Sequence, residues 1–217
     1  MSVKKYVNEV RFSARDFLYN RKSRALLKNK DFSIISSDCL GGCIAKDLKV
    51  RMNSPTRNFY FNSDDYIKFC KKLEYYLGFE PQPYNGNYSG GGSEYLMASL
   101  GDLKMFLVHY SSIEQCREEW IRRRDRVNKD NIFFIMNDRN YCTEENIKAF
   151  DELPYKNKVC FTHKKYPQYK STFYITGSEN DEYLKSVMNY MHPWWIKRYY
   201  DQFDIVSWLN TGGCEWR

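Results

Sequence analysis

A cysteine followed closely by two glycines is the first feature of this sequence that could support catalysis. Cys39 comes directly after a predicted strand and leads through Leu40 into Gly41 and Gly42. A cysteine at the start of a helix lies at the positive end of the helix dipole, which lowers the pKa of its thiol and favours the nucleophilic thiolate. The two glycines leave their backbone N–H groups open to an oxyanion or a phosphate. The alternative interpretation is a tight turn around a small buried cysteine.

His109 and Asp138 could complete a nucleophilic site with Cys39. Each of the three lies at or just after the carboxyl end of a predicted strand, and ligands of open α/β sheets bind beyond the carboxyl ends of the strands. In this hypothesis His109 is the base that activates the thiol, and Asp138 orients its imidazole. The alternative for His109 is a half-buried histidine that is hydrogen-bonded to a backbone carbonyl. His163 is expected to face solvent in a loop.

An arginine pair on a predicted helix is a second candidate for ligand binding. Arg123 and Arg124 follow Trp120 by three and four residues in the predicted helix of residues 113–128. At least one guanidinium is therefore expected at the edge of the core, where it requires an anionic partner. That partner is either an acidic side chain of the same domain or a phosphate of a nucleotide donor.

The composition excludes several classes of protein. The chain has 217 residues, of which 42% are apolar, and this is enough to bury a core rather than remain disordered. No apolar run approaches the ~20 residues of a membrane-spanning helix. The seven cysteines are odd in number and irregularly spaced, which favours the reducing cytoplasm over a disulfide-linked protein. Their spacing matches no zinc site, so we expect no metal.

The net charge of +7 is concentrated in residues 1–30, which we predict to be an arm before a single α/β domain of residues 31–217. Nine basic minus two acidic residues give the arm +7, and the remainder is neutral. Apolar residues of the arm recur at helical spacing and predict an amphipathic helix. This helix either packs its apolar stripe on the body or docks on an anionic membrane surface. A nucleic-acid partner is not expected, because the body carries no excess positive charge.

Strand-like and helical segments alternate along the rest of the chain. This alternation predicts a three-layer α/β/α sandwich with a mainly parallel sheet. Residues 81–92 contain three consecutive glycines and are predicted to form a binding loop or a flexible connection. Strands are predicted at 32–36, 59–61, 103–109, 131–136, 159–162 and 171–176, and helices at 40–49, 64–77, 113–128, 143–151 and 181–190.

Several short motifs together resemble a known family. The stretch Ile35 to Gly42, followed by Asn53-Ser54-Pro55-Thr56, is similar to the opening of a bacterial family of unknown function whose members are described as exopolysaccharide or capsular polysaccharide biosynthesis proteins. Further similarity extends from about residue 32 to residue 210. The family usually opens with Asn-Asn-Cys-Trp-Gly-Gly, from which this sequence departs at Asp38 and Leu40.

The resemblance implies a three-layer α/β enzyme that builds or decorates surface polysaccharides, without specifying the reaction. We expect a cytoplasmic transferase that moves an acyl group from a thioester such as acetyl-CoA onto a hydroxyl of a saccharide precursor. The alternatives are a metal-dependent glycosyl- or phospho-sugar transferase, with Asp38, Asp64 or Asp138 holding the metal, and a non-catalytic glycan-binding or assembly protein. The residues predicted to bind substrate or donor are Asp38, Gly41, Gly42, Asn53, Ser54, Arg123, Arg126 and Arg139.

Overall fold

The computed structural model describes residues 3–84, 95–139 and 141–213. The helices are α1 (Val3–Arg15), α2 (Arg21–Leu26), α3 (Leu40–Leu48), α4 (Ser63–Lys71), α5 (Leu73–Leu77), α6 (Ile113–Arg124), α7 (Glu144–Asp151) and α8 (Ile205–Thr211). The strands are β1 (Ser33–Ser36), β2 (Gln82–Pro83), β3 (Leu96–Leu100), β4 (Leu103–Leu107), β5 (Ile132–Asn137), β6 (Lys158–Thr162) and β7 (Thr172–Tyr174). A π-helical turn (Asp16–Asn20) joins α1 to α2, and a 3₁₀ turn (Tyr199–Gln202) precedes α8.

A four-stranded parallel sheet forms the middle layer of the domain, with strand order β1-β5-β6-β7. Side chains of β5 alternate between its two faces: Phe134 and Met136 enter one core cluster, and Phe133 and Ile135 enter the other. Because both faces are buried, β5 is apolar without interruption from Ile132 to Met136. The predicted mixed α/β fold, with a mainly parallel sheet and an N-terminal helix, is confirmed.

A second, antiparallel sheet has the order β2-β3-β4. The alternation of elements placed β4 in the parallel sheet, and this prediction is wrong. Only Gly101 and Asp102 separate β3 from β4, and a two-residue connection can join only antiparallel neighbours. Gly101 has a φ of +63°, a conformation that glycine adopts without steric cost.

The segment of residues 58–61 connects the two sheets. Phe61 N–H donates to Ser37 O, just beyond β1, and Tyr60 pairs with Phe106 of β4. Asn58 has a φ of +67°, and its carbonyl accepts from His109 N–H. The end of β4 therefore lies beside the carboxyl end of β1, although the two strands belong to different sheets.

Three further elements differ from the prediction. Residues 181–190 form turns and bends instead of a helix, and their buried Leu184 and Val187 pack in the core. The predicted helix of residues 64–77 is divided into α4 and α5 at Lys72. The predicted strand at 59–61 is a single bridge. Most of the predicted loop of residues 81–92 lies outside the described residues.

The N-terminal arm is attached to the body through a buried arginine. Arg15 is 1% exposed, and its guanidinium lies 3.0 Å from Asp47 of α3 and 2.5 Å from Asp201. Of the two alternatives for the arm, packing of the apolar stripe on the body is not observed, because Arg15 occupies the packed face while Val10 and Phe17 are exposed. Within the described residues, no helix combines the length and the apolar character needed to cross a bilayer.

Candidate functional site

A cleft of about 440 Å³ opens where α3 begins, between the carboxyl end of β1 and the end of β4. It brings together five of the residues predicted from the sequence, namely Asp38, Cys39, Gly42, His109 and Arg139. The other residues that line it are Cys43, Lys46, Arg57, Asn58, Tyr60, Tyr95, Val108 and Met188.

The first turn of α3 contains a backbone N–H without an acceptor in the described chain, at a residue that lines this cleft. Asp38 Oδ1 accepts from Leu40 N–H at 2.9 Å, and Ser36 Oγ accepts from Gly41 N–H at 3.1 Å. Among the described residues, the N–H of Gly42 has no acceptor. The expectation that Gly41 donates to a ligand is therefore wrong, because Ser36 already occupies its N–H. Gly42 remains a candidate donor to an anion.

The two glycines also differ in the space around them. A Cβ at position 41 would lie 3.0 Å from Ile34 Cγ2 and 3.1 Å from Ser36 Oγ, in the buried core. At position 42 the nearest atom would be Arg57 Cγ at 3.3 Å, on a side chain that can move.

We expect Gly41→Ala to be at least ~1 kcal/mol less stable than Gly42→Ala, because overpacking a core costs ~1–3 kcal/mol while both variants gain the same helix propensity. The midpoints of urea unfolding give the comparison, with equal slopes required. Equal midpoints would contradict the close packing at Gly41.

Cys39 is half-buried at the start of α3, and its Sγ donates to Phe59 O at 3.8 Å. Burial raises the pKa of this thiol to about 12, and the neighbouring Asp38 and Cys43 add to the increase against the opposing effect of Arg57. The expectation that the helix start lowers its pKa is wrong, because the loss of hydration outweighs the helix dipole. Cys39 is therefore a thiol at neutral pH and requires a base to act as a nucleophile.

His109 is exposed and lines the same cleft. The backbone N–H of His109 donates to Asn58 O, and the carbonyl oxygen of the adjacent Phe59 accepts from Cys39 Sγ. Two consecutive residues of one segment thus hold the thiol and the histidine. No side-chain partner for the His109 imidazole is present in the described part of the chain, so the ring is available for proton transfer.

Asp138 does not orient His109, because it is bound elsewhere. Its Oδ2 lies 2.5 Å from His163 Nδ1 and accepts from His163 N–H at 2.8 Å, while Oδ1 accepts from Leu184 N–H at 3.0 Å. Burial raises the pKa of Asp138, and the bonds from His163 oppose this increase. His163 is buried, so its predicted position in a solvent-facing loop is also wrong.

Positive charge exceeds negative charge in the cleft. Lys46, Arg57 and Arg139 line it, and none forms an ion pair with an acidic side chain of the described residues. Asp38 is the one carboxylate among the described lining residues, and it also accepts from Asn137 Nδ2 at 2.9 Å. Burial raises the pKa of Asp38, although Leu40 N–H, Arg139 and Asn137 oppose the increase. Such a cleft favours an anionic ligand.

Unsatisfied polar atoms gather at the same end of the parallel sheet. The buried atoms without a hydrogen-bond partner in the described chain include Ser37 Oγ, Asn62 Oδ1, Asn137 Oδ1, Arg139 Nε and His163 Nε2. Leaving a buried polar group unpaired costs ~1–3 kcal/mol, so groups of this kind usually bind water or a ligand. Their position supports the carboxyl end of the sheet as the functional side of the domain.

Several predicted ligand-binding residues lie outside the cleft. Arg123 is buried against Glu119, and its Nη1 donates to Tyr110 OH at 3.0 Å, which matches the alternative of an internal ion pair. Arg126 Nε donates to Arg122 O at 2.8 Å. Ser54 is fully buried, where its hydroxyl bonds to Thr56, and Asn53 does not line the cleft.

Sequence reasoning missed Lys46, Arg57, Tyr60 and Tyr95 as lining residues. Lys46 and Arg57 had local signals, since the first is seven residues after Cys39 on the same helix and the second directly follows the Asn53–Thr56 motif. Tyr95 had none, because it reaches the cleft only through the antiparallel hairpin. Two linked hydrogen bonds hold the backbone of Arg57 in place. Tyr110 OH donates to the Arg57 carbonyl oxygen at 3.1 Å and accepts from Arg123 Nη1.

Comparison with known proteins finds similarity over most of this chain. The model of a family described as a domain of unknown function (DUF1919) matches residues 10–210. An uncharacterized protein of Haemophilus influenzae is 38% identical to this chain over 194 residues, which cover 89% of this chain and 91% of that protein. The family match begins within α1, so it includes most of the arm, which the resemblance found in the sequence left outside.

Proposed function

We propose, from the premise that this chain belongs to the DUF1919 family, that its cleft is the active site of a transferase. The enzyme moves an acyl group from a phosphate-bearing thioester to a sugar hydroxyl. The observation that carries this proposal is the convergence of a thiol, an imidazole, a free backbone N–H and three cationic side chains on one cleft. Cys39 and His109 are the catalytic residues, and Gly42 N–H is the oxyanion donor.

The reaction has two steps, each with a balanced proton transfer. First, His109 takes the Cys39 thiol proton while the sulfur attacks the thioester carbonyl; the donor thiolate leaves and receives that proton. Second, His109 takes the proton of the sugar hydroxyl, whose oxygen attacks the acyl-Cys39 carbonyl, and Cys39 leaves as a thiolate that is reprotonated. The Gly42 N–H stabilises the negative oxygen in both steps, by ~3–4 kcal/mol for a well-placed donor.

The cationic side chains support a phosphate-bearing donor such as acetyl-CoA. Arg57 and Arg139 offer planar guanidinium groups that can each donate two hydrogen bonds to phosphate oxygens. Lys46 adds a third charge from the exposed side of α3. These three residues replace Arg123 and Arg126 as the proposed donor-binding set.

The sugar acceptor is the finer part of the proposal. Tyr60 and Tyr95 line the cleft with ring centroids 6.1 Å apart, and aromatic walls of this kind are typical of sites for small organic ligands. The link to exopolysaccharide or capsular polysaccharide rests on the resemblance found in the sequence.

The test is to incubate the protein with acetyl-CoA, without acceptor, and to measure intact mass and the modified peptide. We expect the mass of one acetyl group on Cys39 and none on Cys43, which lines the same cleft. We also expect acetyl-CoA to raise the melting temperature, since a ligand that binds only the native state stabilises it. If acetyl-CoA raises the melting temperature but Cys39 is not acetylated, the catalytic role of Cys39 is contradicted. The protein would then bind the donor without transferring its acyl group.

A nucleotide-sugar transferase is the second candidate, because the same cations fit a diphosphate. Each carboxylate expected to hold its metal already has a side-chain partner: Asp38 bonds to Asn137, Asp64 to Asn146 and Asp138 to His163. No group of three acidic, cysteine or histidine side chains suited to a metal ion occurs among the residues that the structure describes. Thermal stabilisation by nucleotide sugars but not by acetyl-CoA would favour this candidate.

A further inference from the structure

The N-terminal arm presents an apolar surface on the side that does not pack against the body. Phe17 and Leu18 are 67% and 64% exposed, and Val7 and Val10 precede them on the same helical stripe. Arg15, on the packed side, is held by Asp47 and Asp201. The stripe is therefore turned outward by specific contacts on the other side of the helix. Exposed apolar patches of this kind mark interaction sites.

Two exposed tryptophans lie next to this stripe. Trp194 and Trp195 are 84% and 53% exposed. Arg11 Nη2 donates to His192 O at 3.0 Å and to Trp195 O at 2.9 Å, and its guanidinium carbon lies 3.7 Å from the centre of the Tyr190 ring. The contacts of Arg11 thus attach the tryptophan turn to α1. Tryptophan prefers the interface between membrane and water, where its ring is buried and its N–H stays hydrated.

Basic side chains follow the apolar stripe along the chain. Arg21, Lys22, Lys28 and Lys30 are exposed and form no ion pair with described acidic residues. The acidic Asp16 of the arm is already engaged by Arg24 and Lys49. The positive charge of this surface is therefore not neutralised by the protein.

We infer that this surface, formed by Val7, Val10, Phe17, Leu18, Trp194 and Trp195 with these basic residues, docks on an anionic lipid bilayer. The apolar side chains enter the interface, and the basic side chains meet the phosphate groups of the lipids. The charge of the arm disfavours a second copy as the occupant, since nine basic minus two acidic residues would set +7 against +7. Exposed aliphatic residues give nucleic acid nothing to recognise beyond charge.

The experiment is cosedimentation with vesicles of phosphatidylcholine, with and without phosphatidylglycerol, followed by tryptophan fluorescence. We expect binding only with the anionic lipid, a blue shift of the emission, and weaker binding at high salt because the Debye length shortens. Trp194→Ala should weaken binding about tenfold. Lys22→Glu with Lys28→Glu should weaken it at least ~25-fold, at about fivefold per charge removed.

The matched controls are Tyr75→Ala and Lys71→Glu, which change an exposed aromatic and an exposed lysine on α5 and α4, in the other helix layer. Both should bind as the wild type does. Failure to bind anionic vesicles would overturn the inference, and so would equal loss in the control variants. Dimerisation that depends on Trp194, or binding to nucleic acid that replaces binding to lipid, would assign the surface to another occupant. This test measures only binding to vesicles, so its outcome does not depend on whether the protein transfers acyl groups.

Discussion

Replacing Cys39 with alanine is expected to lower acyl transfer at least ~1,000-fold, because the variant has no atom to carry the acyl group. Cys43→Ala is the matched control, since its thiol lines the same cleft but contacts Met188 Sδ at 3.4 Å instead of the segment of residues 58–61. It should retain transfer within about threefold. His109→Gln should lose ~100- to 10,000-fold, the range for removal of a general base.

The pH dependence separates the base from the thiol. With a pKa of about 12, only about one Cys39 thiol in 100,000 is ionised at pH 7. Alkylation by iodoacetamide, which needs no base from the protein, should therefore rise about tenfold per pH unit and ~1,000-fold between pH 7 and pH 10. Transfer from acetyl-CoA should rise less steeply with pH, because His109 takes the thiol proton in that reaction.

Two measurements would contradict this assignment. One is an alkylation rate that reaches a plateau near neutral pH, since this would mean that Cys39 is ionised without help from a base. The other is a transfer rate that His109→Gln leaves unchanged. Alkylation is followed on the Cys39 peptide by mass spectrometry, so that Cys43 and Cys142, which are half-buried like Cys39, do not interfere.

Replacing Arg15 with alanine is expected to reduce stability by ~3–5 kcal/mol. The variant leaves Asp47 and Asp201 buried with part of their charge uncompensated, which is more costly than the loss of the ion pair itself. Tyr200 also loses its bond from Arg15 Nη2 at 2.8 Å. For a domain of this size the melting temperature should fall by ~6–20 °C.

The matched control is Arg24→Ala, which removes a more exposed ion pair from the same arm. Arg24 and Asp16 keep 19% and 27% of their side-chain surfaces in contact with solvent. Ion pairs at the surface contribute ~0–1 kcal/mol, so this variant should melt within a few degrees of the wild type. A similar loss in both variants would show that the arm responds to any loss of charge, and not to the buried network.

Helix α3 connects the cleft that contains Cys39 to the N-terminal arm that contains Arg15. Its first turn forms the cleft, with Cys39 and Gly42, and its last turn carries Asp47, which holds Arg15 of the arm. The proposed active site and the arm that carries most of the proposed membrane surface are therefore both attached to one helix of nine residues. An enzyme arranged in this way would keep its catalytic cleft at a fixed orientation to the bilayer.

Elements whose signals are local could be predicted from the amino-acid sequence alone. Strand β1, helix α3 and its start at Leu40 follow from a short apolar run, a cysteine and two glycines, and α7 follows from its helical periodicity. The same reasoning placed Cys39, Gly42 and Arg139 at the carboxyl end of the parallel sheet, where the cleft opens. These features depend on neighbours within a few residues, so one sequence is sufficient to predict them.

Which side chains come close together depends on the tertiary structure and could not be predicted from local sequence patterns. His109 and Cys39 line the same cleft because residues 58–61 join an antiparallel sheet to β1, and no local pattern specifies that connection. Asp138 bonds to His163 because β5 and β6 are parallel neighbours with their carboxyl ends side by side. Burial, which depends on the whole fold, raises the pKa of Cys39 against the local effect of the helix dipole. The burial of Arg15 and the exposure of Phe17 also depend on the whole fold, since the two acidic partners of Arg15 lie more than 30 residues away along the chain.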